Sequence, residues 1–371
     1  MIRKFLITIF IILTLSITVN AEENSIYSEQ YDLSGAEEIT EALDEKTKEY
    51  LNEFEIDPKD YNWVNNLSYQ NVFEIIINIL KTGAKTPITV GATILAIILI
   101  SSALSGLNQK SSISNTSLYA STLATAAVIS VPIFSTLSAT VNAMKGSASF
   151  MTAFVPVFAV IVATSGMPIT SASMSALLLG AAQLVSYISN FFVTPLMSGY
   201  LAISICSTVS PIVEQSSIAS SIKKIALWVM TLISTIFIGI LGIQTAVNSS
   251  ADTLTIKTAK FVLGSTLPVA GTALAEALNT VTASFKLLKS SIAIYGAVAC
   301  ILIFLPLLFE LFLWRIVLNL NCSIANIFSV GKISSLLKAI DNVISVLISV
   351  TLLTGAIFII SLSIIVSFGK T

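Results

Sequence analysis

Residues 141–157 read VNAMKGSASFMTAFVPV and residues 247–269 read VNSSADTLTIKTAKFVLGSTLPV, so a Val-Asn pair is followed by a Pro-Val pair twice in one chain. A third pair, Pro195-Leu196, recurs as Pro306-Leu307. The matches are separated by 106, 112 and 111 residues, in the same order. Duplicated membrane domains commonly enclose a path between similar halves, although a scaffold can also be duplicated. This spacing predicts an internally duplicated transmembrane helical domain, with repeats at about 111–221 and 217–331 and a final helix at 340–367.

The composition predicts a membrane protein. Hydrophobic residues make up 55% of the chain, charged residues 11%, and the mean hydropathy is +0.90, whereas ordinary soluble domains carry about 25% charged residues. Beyond residue 85 the apolar runs are long enough to cross a hydrocarbon layer about 30 Å thick. We therefore expect an all-α polytopic membrane domain at 85–371, with ten crossings if every run spans the bilayer. The ten runs lie at 88–107, 118–143, 150–165, 172–193, 196–213, 225–247, 261–275, 292–305, 307–320 and 340–367.

The first 84 residues predict a signal peptide and a small extracytoplasmic region. Arg3 and Lys4, the apolar run after them and the small residues around Ala21 indicate a signal peptide at 1–21, with an uncleaved anchor helix as the alternative. Of the 20 acidic residues, 15 lie between Glu22 and Glu74. We interpret 22–84 as an acidic helical region outside the cytoplasm. Its predicted apolar helical face contains Leu43, Tyr50, Leu51 and Phe54.

Proline interrupts two of the shorter apolar runs. Pro156 lies in 150–165, and Pro268 and Gly271 lie in 261–275. A proline removes one backbone donor, and the carbonyl that it frees must find another partner in a membrane. These runs are therefore candidate broken or re-entrant helices, and a continuous but kinked helix is the alternative. The candidate helix-break residues are Pro156, Pro195, Pro268, Gly271 and Pro306.

Ionisable side chains are costly inside a membrane, so the few in the apolar domain are functional candidates. Glu310 and Arg315 lie five residues apart in one apolar segment, which allows either a pair across the bundle or a polar path. Arg315 placed at the membrane interface, and Asp252 placed in water as an anchor, are the structural alternatives. The candidate polar residues are Asp252, Lys257, Lys260, Glu276, Glu310, Arg315 and Asn319.

Several classes of activity are disfavoured by residues that the chain lacks. It contains no histidine, which excludes a Ser-His protease and an HExxH metalloprotease. It also contains no phosphate-binding loop of the GxxxxGK[ST] type. Cys206, Cys300 and Cys322 lack paired spacing and are interpreted as small buried hydrophobic residues. We expect no enzymatic activity, no cofactor, no metal and no nucleic-acid partner.

The block DTLTIKTAKF at 252–261, continued by Pro268-Val269-Ala270-Gly271, resembles the stage III sporulation protein AE family of endospore-forming bacteria. The resemblance extends over the signal sequence, the acidic region, the multiple spans and the helix 281–289. It implies a multi-pass protein of the mother-cell membrane that surrounds the forespore, in contact with membrane lipid. It also implies a channel or secretion-like complex with other proteins of the stage III operon, including a predicted ATPase, and with a forespore-made partner. A stand-alone small-solute permease and a scaffold that seats other sporulation proteins are the alternatives.

Overall fold

The computed structural model describes residues 23–60, 63, 69–107, 112–209, 215–266 and 270–367. Every regular element in this part of the chain is helical, which confirms the all-α prediction. A π-helical turn at Ser189–Val193 joins α6 to α7 without interruption. The helices are α1 (Glu23–Leu33), α2 (Glu37–Glu41), α3 (Glu45–Glu53), α4 (Tyr69–Leu107), α5 (Ser112–Thr164), α6 (Pro168–Ile188), α7 (Thr194–Val209), α8 (Gln215–Thr266), α9 (Ala270–Ile327) and α10 (Gly331–Ser367).

Six helical segments of the described chain are long and apolar enough to cross a membrane, in agreement with a multi-pass protein. The expectation of ten crossings is wrong because pairs of apolar runs lie within single continuous helices. The runs 118–143 and 150–165 both belong to α5, and 292–305 and 307–320 both belong to α9. The six segments are Ile76–Leu104, Thr116–Thr164, Pro168–Cys206, Leu227–Thr258, Thr280–Ile327 and Gly331–Ser367.

The prolines leave the long helices continuous. Pro156 lies inside α5 and Pro306 inside α9, so the prediction of a broken segment at 150–165 is wrong and the continuous alternative is the one found. Pro195 lies in the first turn of α7, directly after the π-helical turn. The extra residue in such a turn accommodates a ring that cannot donate to the preceding turn, and the Thr194 hydroxyl donates to the Ser189 carbonyl there at 2.7 Å.

The second proposed break falls partly outside the described residues. Pro268 lies in the undescribed stretch after Thr266, where α8 ends, and Gly271 lies in the first turn of α9. Pro156 and Pro268 therefore occupy different positions, one within a helix and the other outside the described residues. The long helices α5 and α8 are similar in length, with 53 and 52 residues. The internal duplication stays a prediction.

Helix α10 is central and α8 is peripheral. Of their most apolar stretches, 72% is buried in α10 but only 17% in α8. Helix α4 packs closely on α9 through Gly91, because a Cβ added there would collide with the Val317 side chain. Small residues at helix contacts allow this kind of approach in membrane proteins. Cys300 is buried as expected, whereas Cys206 is exposed, which corrects that part of the cysteine prediction.

The three short helices α1 to α3 form a cap on the long helices. Leu43 and Leu51 of the predicted apolar face are buried, and Tyr50 and Phe54 pack partly buried against the core. The cap contacts α9 through two hydrogen bonds of 2.8 Å, from the Tyr27 hydroxyl to Ser291 Oγ and between Thr40 Oγ1 and the Tyr295 hydroxyl. The signal peptide at 1–21 lies outside the described residues, and the location of the cap outside the cytoplasm stays a prediction.

Candidate functional site: polar residues between the helices

Asp252 of α8 caps the amino-terminal end of α6. Its two carboxylate oxygens accept hydrogen bonds from the backbone N–H groups of Ile169 and Thr170, each at 2.9 Å. The first N–H groups of a helix have no partner inside that helix and carry a partial positive charge. A carboxylate satisfies both requirements, which explains how Asp252 can be only 1% exposed. Its position therefore corresponds to a buried structural contact rather than to an anchor in water.

The turn that Asp252 holds is fixed from both sides. Gly166 adopts a φ of +90°, a conformation that favours glycine, and a Cβ at that position would lie 2.6 Å from Ile256 of α8. On the other side, Lys289 Nζ of α9 lies 3.6 Å from Met167 Sδ. Lys289 is 1% exposed, although the ten-crossing topology placed it in the cytoplasm. Three helices therefore meet at the α5–α6 turn, and sequence reasoning missed Lys289 because its partners are far away in the chain.

Glu310 joins α9 to α5. Its Oε1 atom accepts a hydrogen bond of 2.8 Å from the Thr136 hydroxyl, and the indole N–H of Trp314 donates to the Thr136 oxygen at 3.1 Å. Thr136 and Trp314 are buried and Glu310 is half-buried. The carboxylate therefore has defined partners at a helix interface and no neighbouring carboxylate with which to share a proton.

Arg315 and Glu310 do not form the pair that their proximity in sequence allows. Positions five apart on a helix point in directions about 140° apart, and Arg315 Nε instead lies 3.7 Å from Asp341 Oδ1 on α10. Asn319 donates to the same Asp341 oxygen at 3.0 Å. Arg315 is 46% exposed at its side chain, so the ion pair contributes little stability.

A shallow hollow of about 430 Å³ runs along the outer side of α9 next to this ion pair. All of its lining residues belong to that one helix, so the hollow is an open surface groove that cannot enclose a solute. The lining residues are Phe312, Arg315, Ile316, Asn319, Leu320 and Ser323. Among the described residues, no group of three or more His, Cys, Asp or Glu side chains could hold a metal ion.

The remaining sequence candidates do not join these clusters. Lys257 is exposed on α8, and the side chains of Lys260 and Glu276 lie outside the described part of the structure. In the cap, burial raises the pKa of the Tyr31 phenol above its ordinary value, and its hydroxyl donates to the Ala36 carbonyl at 3.2 Å. The polar candidates thus occupy separate helix interfaces and do not converge on one central cavity.

The family model described as stage III sporulation protein AE matches residues 61–369. The chain belongs to this family. The stage III sporulation protein AE match begins at the end of the cap, so helices α1 to α3 precede it and α4 to α10 lie within it. The block at 252–261, and with it the Asp252 cap, falls inside the matched region.

A similar protein from Bacillus subtilis (strain 168) bears the family name, Stage III sporulation protein AE. The two sequences are 24% identical over 229 residues, which cover 62% of this chain and 57% of that protein. The match therefore spans less than two thirds of the relative's length. No solved structure matches the chain.

Proposed function

We propose that this chain is an integral membrane subunit of a channel or secretion-like complex between the mother cell and the forespore. Membership of the sporulation family supports the cellular process. The six apolar helical segments support residence in a membrane, and we place that membrane around the forespore. The proposed partners are the other proteins of the stage III operon, among them the predicted ATPase, and a forespore-made protein on the opposite side of the intermembrane space.

The separation of the polar groups carries the choice of a subunit over a stand-alone permease. Asp252 caps a helix, Glu310 bonds a neighbouring helix, and Arg315 pairs at the periphery. A permease that works alone needs polar groups that converge on a solute site between its halves. The described polar residues are instead used at separate contacts, which favours a path completed by other chains. No enzymatic step is part of this proposal.

The proposal is tested by replacing the gene in an endospore-forming host and counting heat-resistant spores. Loss of spores after engulfment, restored by the wild-type gene, is expected. In the same strain, an affinity tag on this chain should recover the operon ATPase from detergent-solubilised sporulating cells but not from vegetative cells that express both proteins. Normal spore counts in the deletion strain would refute the sporulation role. Normal assembly of the other operon proteins in its absence would argue against a subunit of their complex.

A further inference from the structure

The outer face of α8 carries an apolar stripe that defines where lipid covers the molecule. One exposed apolar side chain occurs per helical turn, and the first and last are about 33 Å apart at 1.5 Å per residue. This length is close to the thickness of the hydrocarbon layer, about 30 Å. Exposed Lys224 precedes the stripe and exposed Ser250 and Lys257 follow it. The apolar stripe consists of Ile225, Trp228, Leu232, Ile236, Ile240, Ile243 and Val247.

Contacts between helices relate the height of this stripe to positions on α5. Ser173 Oγ of α6 donates to Gln244 of α8 at 2.6 Å, and Ser171 Oγ donates to the Ala159 carbonyl of α5 at 2.6 Å. Counting along the helices from these contacts, the apolar stripe of α8 lies at about the height of 138–160 of α5. The outer face of α6 is also apolar within this range, where Leu184, Tyr187 and Phe191 are exposed.

At that same height the outer face of α5 is polar. Every exposed residue of α5 between 135 and 152 is small or polar, whereas every exposed residue between 120 and 134 is apolar. The adjoining part of α4 is polar too, and its Gly83 packs against Glu310, which bonds Thr136 of α5. We name these residues the polar face: Asn78, Lys81, Thr82 and Lys85 of α4, and Ser135, Ser138, Asn142, Lys145, Ser149 and Thr152 of α5.

Lipid does not suit this polar face. Lys145 lies close to mid-height of the stripe, where a charged side chain against lipid costs about 2.5 to 3.5 kcal/mol or more. Pro156 is exposed one turn above Thr152 and cannot donate to its carbonyl. A free carbonyl is tolerated at membrane depth where it meets protein or a water-filled space, and not where it meets lipid. One side of the bundle is therefore matched to lipid and the opposite side to water at the same height.

We propose that the polar face lines a water-filled path at the centre of an assembly of several copies of this chain. The apolar ends of α4 and α5 lie next to the polar face along the bundle axis and expose Leu99, Leu104, Leu123 and Val131. Contacts between copies through these ends bring their polar faces opposite one another, with α8 outside against lipid. Heterologous contacts of this kind close into rings.

The described charges of the polar face favour hydrated anions as the solutes. Lys81, Lys85 and Lys145 are exposed on it, and Glu310 at its lower edge already accepts a hydrogen bond from Thr136. Rings of lysine in a pore attract anions and repel cations. This inference rests on the proposed function, because it supplies the path that a channel subunit needs.

The test uses single cysteines in a full chain whose Cys206, Cys300 and Cys322 are replaced, restricted to variants that still support sporulation. An impermeant thiol reagent is expected to label Ser149→Cys and Asn142→Cys, while the matched variants Ile236→Cys and Tyr187→Cys on the lipid side stay unlabelled. Oxidation should produce disulfide dimers of Val131→Cys but not of Trp228→Cys. Replacing Lys145 by Gln should lower labelling of Ser149→Cys by an anionic reagent severalfold and leave labelling by a cationic reagent equal or faster.

Protection of Asn142→Cys and Ser149→Cys would overturn the inference, because the face would then be packed. Labelling of Ile236→Cys as fast as Ser149→Cys would also overturn it, since both would then lie in water beyond the bilayer. Because only variants that sporulate are used, either result would leave the proposed sporulation function standing. Loss of the proposed function would show instead as normal spore counts in the deletion strain.

Discussion

The carboxylate of Asp252 accepts the backbone N–H of Thr170 at 2.9 Å across 82 positions of the chain. This contact places the end of α8 beside the start of α6 and fixes the turn through which α5 returns as α6. A sequence motif that resembles a family signature is thereby assigned a physical role. Its acidic residue closes a helix end that would otherwise be buried with unpaired N–H groups.

Asp252→Ala should destabilise the protein by about 0.5 to 2 kcal/mol, the usual cost of losing a helix cap. Asp252→Asn should lose less, because its amide oxygen can still accept one N–H. The measurement is the temperature at which the detergent-solubilised protein loses its monodisperse elution peak. Thr253→Ala is the matched control, since its neighbouring side chain is exposed. Equal melting temperatures for Asp252→Ala and the control would show that the cap does not contribute to stability.

Glu310→Ala and Thr136→Val should each lower stability by about 1 to 2 kcal/mol, because a buried hydrogen bond loses one partner. The double variant should cost less than the sum of the single variants, since residues in one hydrogen-bond network are not independent. Glu310→Gln keeps an acceptor for Thr136 and should remain close to wild type. Thermal stability in detergent checks the set. Strict additivity would mean that the two side chains do not interact in the folded protein.

Gly91→Ala should destabilise the α4–α9 contact by about 1 to 3 kcal/mol, the typical cost of overpacking. The added methyl group would collide with Val317, so Val317→Ala in the same chain should restore much of the loss. Gly180→Ala is the control, because nothing lies within 4 Å of a Cβ at that position. The check is again thermal stability. A Gly91→Ala variant that Val317→Ala fails to rescue would contradict the close approach of the two helices.

Tyr27→Phe should loosen the cap without unfolding the long helices. The Tyr27 hydroxyl reaches the Pro58 carbonyl and Ser291 Oγ, both at 2.8 Å, and each hydrogen bond contributes about 0.5 to 1.5 kcal/mol. Limited proteolysis in detergent should cut the variant faster between α1 and α3, with the membrane fragment unchanged. The exposed Tyr187→Phe substitution should leave the cutting rate at the wild-type value. Unchanged proteolysis of Tyr27→Phe would show that these bonds do not hold the cap.

Hydropathy along the chain was sufficient to predict helices, membrane segments and the helical face of the cap. It was not sufficient to count the crossings, because polar residues such as Asn142 and Lys145 interrupt an apolar run without ending the helix. Helix continuity through Pro156 could not be predicted either. One missing donor does not end a helix whose buried side packs on the core with Phe154 and Phe158.

The sequence by itself determined the helical class, the membrane environment and the family, because composition, local periodicity and a short motif are properties of neighbouring residues. Tertiary structure alone decided the partners of Asp252, the burial of Lys289 and the pairing of Arg315 with Asp341. It also revealed that the polar side of α5 lies at the height of the apolar stripe of α8. These relationships join residues far apart in the chain, and they depend on how helices align in space.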